Sequence, residues 1–240
     1  KACGLEGVMN LGKASAAAIE MASPTRRVAL LLSGGVESAV LLHQLKSFGH
    51  VPVPLVADYA QRGATMERRA AEHLCRNAGL PPPLLMDLRA LGASFQAENR
   101  LHVPLPHRNL VLLSVALGWA TQRKCSEIAL GLNKDDFMKD AEFAKTPGAV
   151  RYTTGTAAFV ESARAMLGVV APEVQLSVPQ AELTKAEVIR EGVNLGLDFS
   201  LTYSCMRGRD LHCGSCMQCQ SRRRAFVEAG VVEPPGTYEK

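Results

Sequence analysis

Apolar residues run unbroken from Val28 to Leu32, bounded by Arg26-Arg27 on one side and Ser33-Gly34-Gly35 on the other. A run this short, with such borders, reads as a strand buried on both faces, the kind that parallel sheets contain. From Ser38 to Phe48, Val40, Leu41, Leu42 and Leu45 fall at helical spacing, and Gly49 closes the helix as a C-terminal cap. The rhythm repeats, predicting a strand over Val51–Asp58, a helix over Thr65–Asn77 ending at Gly79, and a strand over Leu84–Leu88. A helix over Asn109–Arg123 and a strand over Glu127–Gly131 come next. Residues 132–156 look polar and irregular, and an insertion of that length in a compact domain is more often functional than decorative. The pattern then predicts a helix over Ala157–Leu167, a strand over Val174–Val178 and a helix over Leu183–Leu195, with Thr184 and Glu187 spaced as a capping box. Ahead of all this, Val8, Leu11, Ala14, Ala17, Ala18 and Met21 predict a weakly amphipathic helix that stops before Pro24.

Strands alternating with helices predict an α/β fold with a doubly wound, mostly parallel sheet, whose ligands collect at the carboxyl ends of the strands. Three regions are expected: an N-terminal extension (1–25), the α/β body (26–200) and a small C-terminal segment (201–240) rich in cysteine. Composition fits this picture, since 240 residues that are 47% hydrophobic can bury a full core. Disordered and fibrous classes are thereby excluded. The longest nearly apolar run, Leu110–Ala120, falls short of the roughly 20 residues of a bilayer-spanning helix, so no membrane span is expected. Residues 1–22 carry no Arg and resemble neither a signal nor a transit peptide, and Met21 offers a native start. With cysteines that suit metal ligation in a reducing compartment, the expectation is a cytoplasmic protein. A net charge of +4 demands no nucleic acid. Arg222-Arg223-Arg224, near Arg207 and Arg209, reads as a solvated helix face, because no aromatic platform accompanies it.

Two motifs carry chemistry. Ser33-Gly34-Gly35-Val36-Glu37-Ser38 lies between a buried strand and a helix, where glycines let the backbone close on a ligand and the helix N-terminus offers unpaired N–H groups to an anion. A plain glycine turn is the bland alternative; the flanking strand and helix favour a phosphate cradle. The spacing is not that of a Walker A loop, and no Lys follows the second glycine. Cys205, Cys213, Cys216 and Cys219 are spaced C-x7-C-x2-C-x2-C. Four thiolates at this spacing close a tetrahedral structural Zn²⁺ site, although they also suit an iron–sulfur cluster. Removing the metal is expected to loosen the C-terminal segment and to leave the cradle intact.

Taken in order, these motifs resemble the 7-cyano-7-deazaguanine synthase family of PP-loop ATP pyrophosphatases. The Ser33–Ser38 loop is similar to the family's SGGxDS. Asp58-Tyr59-Ala60-Gln61-Arg62 resembles DYGQR, Arg108-Asn109 resembles the end of ARN, and Gly131–Phe137 resembles GVNxxDY. Leu183–Ile189 matches LSKAEII, and the Cys-rich stretch with Arg222, Ala225 and Phe226 looks like the family's C-terminus. The resemblance covers about Arg27 to Tyr238. It implies an adenine nucleotide alpha hydrolase-like fold and an ATP-dependent ligase that adenylates 7-carboxy-7-deazaguanine and converts it with ammonia to the nitrile.

Residue by residue, the resemblance implies that Leu32, Ser33, Gly34, Gly35, Val36, Glu37 and Ser38 bind ATP with its Mg²⁺. Ser33, Glu37, Ser38 and Arg108 would take part in catalysis. Asp58, Tyr59, Gln61, Arg62, Arg108, Asn109, Asn133, Asp135 and Asp136 would bind substrate. Arg108 suits a carboxylate or phosphate, and Asn133 with Asp135 or Asp136 suits a purine-like edge. A homodimer is expected, nucleic acid is the less favoured partner, and no membrane partner is expected. Two departures stand out. Glu37 occupies the position of the family's Asp, and where the family carries Tyr-Pro-Asp-Cys-Arg this chain reads Asp140-Ala141-Glu142-Phe143-Ala144-Lys145, leaving Lys145 or Arg151 to replace the arginine. These departures keep open a paralogue that passes the adenylate to a protein or nucleic-acid amine, or a nucleotide-binding module of weak activity.

Overall fold

Arg27–Leu31 forms the central strand, β1, with Val28, Ala29 and Leu30 wholly shielded from water. The computed structural model describes residues 25–95, 105–143 and 153–239. The helix expected up to Met21 lies outside these residues, as do Lys145 and Arg151. Glycine-loop and helix follow β1 as expected, α1 spanning Val36–Ser47, and then β2 (Val51–Asp58), α2 (Ala64–Asn77), β3 (Leu84–Asp87) and the short α3 (Arg89–Ala93). The chain continues through α4 (Arg108–Gln122), β4 (Glu127–Ala129), α5 (Lys134–Phe143), α6 (Ala157–Val170), β5 (Gln175–Ser177), α7 (Lys185–Asn194) and α8 (Met217–Ala229).

The five strands are parallel, in the order β3-β2-β1-β4-β5. Alternation along β1 divides the core: Val28 and Leu30 face Leu41 of α1, Leu74 of α2, Ile189 of α7 and Phe226 of α8, whereas Ala29 faces Leu113 and Ala116 of α4 and Val160 and Leu167 of α6. Helices therefore cover both faces, which is why the strands read as continuous apolar runs. The chain winds outward from β1 through β2 to β3 and then returns to β1's other side as β4. The crevice beyond the carboxyl ends of β1 and β4 is thus the topological switch point where open sheets bind ligands. Ser33–Gly35 follows β1 there, and Gly131–Asn133 follows β4.

β2 contains Pro52 and Pro54, opposite Val28 and Leu30 of β1. The N–H of Val51 bonds to the Arg26 carbonyl, and the Leu55 carbonyl accepts from Leu32. Odd-numbered residues therefore serve β1, while the prolines occupy positions whose donors would face the β3 side, before β3 joins at Leu55.

One expectation needs correcting. Residues 132–156 are not irregular throughout, because Lys134–Phe143 is helical. Asn133 Oδ1 accepts the Asp136 N–H at 3.0 Å and Asp136 Oδ2 accepts the Asn133 N–H at 3.3 Å, a reciprocal cap that starts α5 despite its polar sequence. Among the described residues, no helix is long and apolar enough to cross a membrane.

Candidate active site

Leu32 itself is buried in the core, so its side chain anchors the loop that leaves β1. Gly34 has φ +78, and a Cβ there would meet the Ala70 Cβ at 2.7 Å and the Glu67 carbonyl at 2.8 Å. Only glycine lets the loop take this path against α2. The loop is braced internally: Ser33 Oγ and Ser38 Oγ lie 3.2 Å apart, the Gly35 N–H donates to Ser33 Oγ, and Ser38 Oγ donates to the Gly35 carbonyl. The first intrahelical bond into α1 is Ala39 N–H to the Gly35 carbonyl, which leaves the first-turn N–H groups of Val36, Glu37 and Ser38 at the helix entrance. Geometry of this kind takes up an anion.

Glu37 turns inward. Its Oε1 pairs with Lys185 Nζ at 2.7 Å and accepts from Asn133 Nδ2 at 3.0 Å, while its carbonyl accepts from Gln180 Nε2 at 3.1 Å. Burial works against the Lys185 charge, but the Glu37 and Asp136 carboxylates outweigh it and hold the ammonium protonated. Asn133 is fully buried and uses its amide on Glu37 and on the start of α5. Asp135 turns to α7, where Oδ2 accepts the Lys185 N–H. The expectation that Asn133 and Asp135 present a purine-reading edge thus meets side chains already engaged in pinning β4, α5 and α7 around Glu37.

A second polar group lies beyond β2. Tyr59 is buried, and its hydroxyl accepts from Arg108 Nη1 at 3.3 Å. Burial pushes the Tyr59 phenol upward and the Arg108 cation opposes it. Arg108 opens α4, with Nε on Asn109 Oδ1 at 3.4 Å, while Asn109 Nδ2 donates to the Thr154 carbonyl. Tyr59, Glu67 and Asp136 all reinforce the Arg108 charge against desolvation. Gln61 spans the turn after β2, donating to the Ala57 carbonyl and to Glu67 Oε2 and accepting the Tyr59 N–H. Asp58 accepts the Ala60 N–H and lies 4.0 Å from Arg89. Arg62 is exposed, and its carbonyl packs so tightly on Gly208 that a Cβ there would lie 1.9 Å away.

Cys205, Cys213, Cys216 and Cys219 bring their Sγ atoms within 4.8 Å of one another. Cys213 to Cys219 is 3.9 Å and Cys216 to Cys219 is 3.4 Å, against the edge of about 3.8 Å for a tetrahedron of 2.3 Å bonds. Backbone N–H groups of Arg207 and Cys213 point at Cys205 Sγ, and that of Cys216 at Cys213 Sγ. Burial disfavours the Cys213 thiolate, yet the Ser215 and Cys216 donors prevail and bring its thiol down to about 6. Donors and spacing suit a metal ion held by four sulfurs. The cluster touches the cradle, since the Tyr203 N–H donates to the Gly34 carbonyl at 2.8 Å.

Residues 27–230 match the family model described as queuosine biosynthesis protein QueC. The chain belongs to the QueC family. A 7-cyano-7-deazaguanine synthase of Cupriavidus pinatubonensis is 32% identical over 226 residues, covering 88% of this chain and 97% of the relative. Among solved structures, the NMN synthetase of Francisella tularensis superposes with a TM-score of 0.55 at 13% identity, covering 88% of this chain and 80% of that one. The U34-tRNA thiolase NcsA of Methanococcus maripaludis, solved with its [4Fe-4S] cluster, gives 0.53 at 17% identity, covering 90% and 69%. These two likenesses show the PP-loop type of α/β fold.

Against the QueC motifs, sequence reasoning missed three polar side chains of the site. Lys185 lies in the Leu183–Ile189 motif but reads there as an ordinary helix residue; a lysine directly after a capping threonine was the available signal. Glu67 and Gln180 carried no local signal, because the chain brings them to the site only through the packing of α2 and the loop after β5. The basic cluster also needs correction. Arg222 is completely buried, pairing with Glu233 at 2.5 Å and donating to Thr202 Oγ1, and Arg223 stacks on the Tyr238 ring at 3.8 Å. The triplet therefore forms no continuous solvated face.

Proposed function

We propose that this QueC-family protein uses ATP to adenylate the carboxylate of 7-carboxy-7-deazaguanine and converts it with ammonia to 7-cyano-7-deazaguanine. The reading is supported by two cations, Lys185 paired with Glu37 in the cradle and Arg108 on the Tyr59 hydroxyl, which are both reinforced at one point, the Asp136 carboxylate. A polyphosphate at the Ser33–Ser38 cradle and a carboxylate at Arg108 would meet across that point. Substrate oxygen attacks the α-phosphorus and pyrophosphate leaves. Ammonia then displaces AMP and loses a proton, giving the amide. The amide oxygen attacks a second ATP, pyrophosphate leaves again, and loss of AMP with the remaining N–H protons forms the nitrile. Arg108 would stabilise the charge that grows during adenylation, and Lys185 would offset phosphate charge while Glu37 holds it in place.

Mg²⁺ would accompany the nucleotide, with Glu37 the carboxylate within the cradle, its Oε2 3.7 Å from where a Cβ on Gly35 would lie. Zn²⁺ is the proposed occupant of the four cysteines, where it would fix the C-terminal segment; the closed four-thiolate set supports a structural ion, and elemental analysis returning iron would reverse the assignment. A homodimer, cytoplasmic location and independence from nucleic acid complete the reading, with a 26 kDa species in sedimentation counting against the dimer.

Glu37 in place of Asp favours one second reading, a paralogue that hands the adenylate to another amine. Purified protein incubated with ATP, ammonium and 7-carboxy-7-deazaguanine separates these by mass spectrometry. Amide and nitrile are expected. Adenylate without nitrile supports the paralogue, and ATP binding with no pyrophosphate release from a sample assayed beside an active relative rejects both.

A further inference from the structure

We propose that the Glu67 carboxylate is the acceptor that reads the N–H edge of the substrate base, selecting a ring that carries a ring N–H beside an exocyclic amino group, as guanine does. The inference rests on the function proposed above and adds the residue that would set its base specificity.

Most of the acceptors gathered at the carboxyl ends of the strands already have partners. Asn133 is consumed by Glu37 and the start of α5. Glu37 is taken by Lys185 and Asn133, and Asp136 caps α5 and reinforces the Arg108 and Lys185 charges. Asp58 serves the Ala60 N–H and faces Arg89, and the Gln61 amide is engaged at both ends. Glu67 differs from all of these. Its Oε2 accepts from Gln61 at 2.9 Å, whereas Oε1 has no hydrogen-bond partner among the described residues.

Three features make this oxygen a reader rather than an idle surface group. Glu67 is only half-buried, so it keeps an opening to solvent, yet its surroundings are dry enough that burial pushes its acid upward against the pull of Gln61 and Arg108. Space beside Oε1 is preserved by Gly63, where a Cβ would come within 2.8 Å of that oxygen. Gln61 locks Oε2 and so fixes the plane of the carboxylate. A carboxylate held this way can accept a ring N–H and an adjacent amino N–H in two parallel bonds, each oxygen having lone pairs to spare. An edge lacking the amino group forfeits one bond, and an edge with a ring acceptor instead of N–H meets like charge on like.

The test compares binding of 7-carboxy-7-deazaguanine with binding of the analogue that lacks the 2-amino group, using wild type, Glu67→Gln and Gly63→Ala, with ATP affinity as the control. Wild type is expected to prefer the amino compound by roughly 100-fold. In both variants the preference should shrink at least tenfold while ATP affinity stays within about twofold. Gly63→Ala keeps the carboxylate and merely crowds Oε1, so it tests the reader even where Glu67→Gln folds poorly. Retained preference in both variants would overturn the assignment, as would loss of ATP binding in parallel with loss of preference, which marks a structural role. Wild type that binds both acids equally overturns this inference alone. Wild type that binds ATP but neither acid overturns the proposed function and the inference with it.

Discussion

Lys185 holds a charge in a place nearly closed to water, its side chain 6% exposed against 14% for Glu37. A buried pair contributes little net stability, but removing one member strands the other. Glu37→Ala should therefore destabilise the protein by about 3–5 kcal/mol in denaturant unfolding, and Glu37→Ala combined with Lys185→Met should recover much of the loss. Arg108 makes a different case, because a lysine there would keep the charge and lose the planar fork directed at Tyr59. Arg108→Lys should lower kcat about 100-fold with little change in melting temperature. Parallel loss of melting temperature with unchanged turnover per folded molecule would assign it to structure. At this scale the sequence was legible where chemistry and chain position coincide, as at Ser33–Ser38 and the four cysteines. It was not legible at Glu67 or Gln180, whose meaning comes from neighbours in space. Asn133 shows the converse, a polar residue that stands beside Glu37 while its hydrogen bonds are spent on the scaffold.

Elements with an apolar period were readable nearly to their ends; β2 spans the predicted Val51–Asp58, and α2 ends at the predicted Asn77. The polar helix α5 escaped because its start is encoded by the Asn133 and Asp136 caps and not by periodicity. α7 carries the capping box expected from Thr184 and Glu187, with both reciprocal bonds present. The Thr184 backbone and hydroxyl bonds hold the Glu187 carboxyl below its ordinary range. A carboxyl lowered in the folded state stabilises above its unfolded value and loses that contribution as pH falls through the folded one. Thr184→Ala should thus cost about 1 kcal/mol at pH 7, with the gap from wild type narrowing under acid. Equal destabilisation at every pH would show that the carboxylate takes no part.

Across the whole molecule, α8 of the cysteine segment packs into the core through Ala225 and Phe226, and two backbone contacts tie the segment to the cradle and the turn after β2, Tyr203 on the Gly34 carbonyl and Gly208 on the Arg62 carbonyl. The expectation that metal loss spares the cradle does not fit these contacts. Chelation should weaken ATP binding as well as loosen residues beyond Thr202, and calorimetric titration of metal-stripped and reloaded protein would measure it. Unchanged affinity after verified metal removal would mean that the cradle stands without the segment. The layered architecture was open to sequence reasoning because the central strand β1 is sealed on both faces. These long-range joints were not, since each consists of a single backbone contact between distant parts of the chain.

The two prolines of β2 bear on how the molecule behaves among its own copies. Among the described residues that strand gains its β3 neighbour only from Leu55 onward, and an unprotected ribbon of this kind invites a foreign strand to add itself. Pro52 and Pro54 remove the donors such a guest would need, so the stretch is barred to other chains both in the finished protein and in the interval during synthesis before β3 arrives.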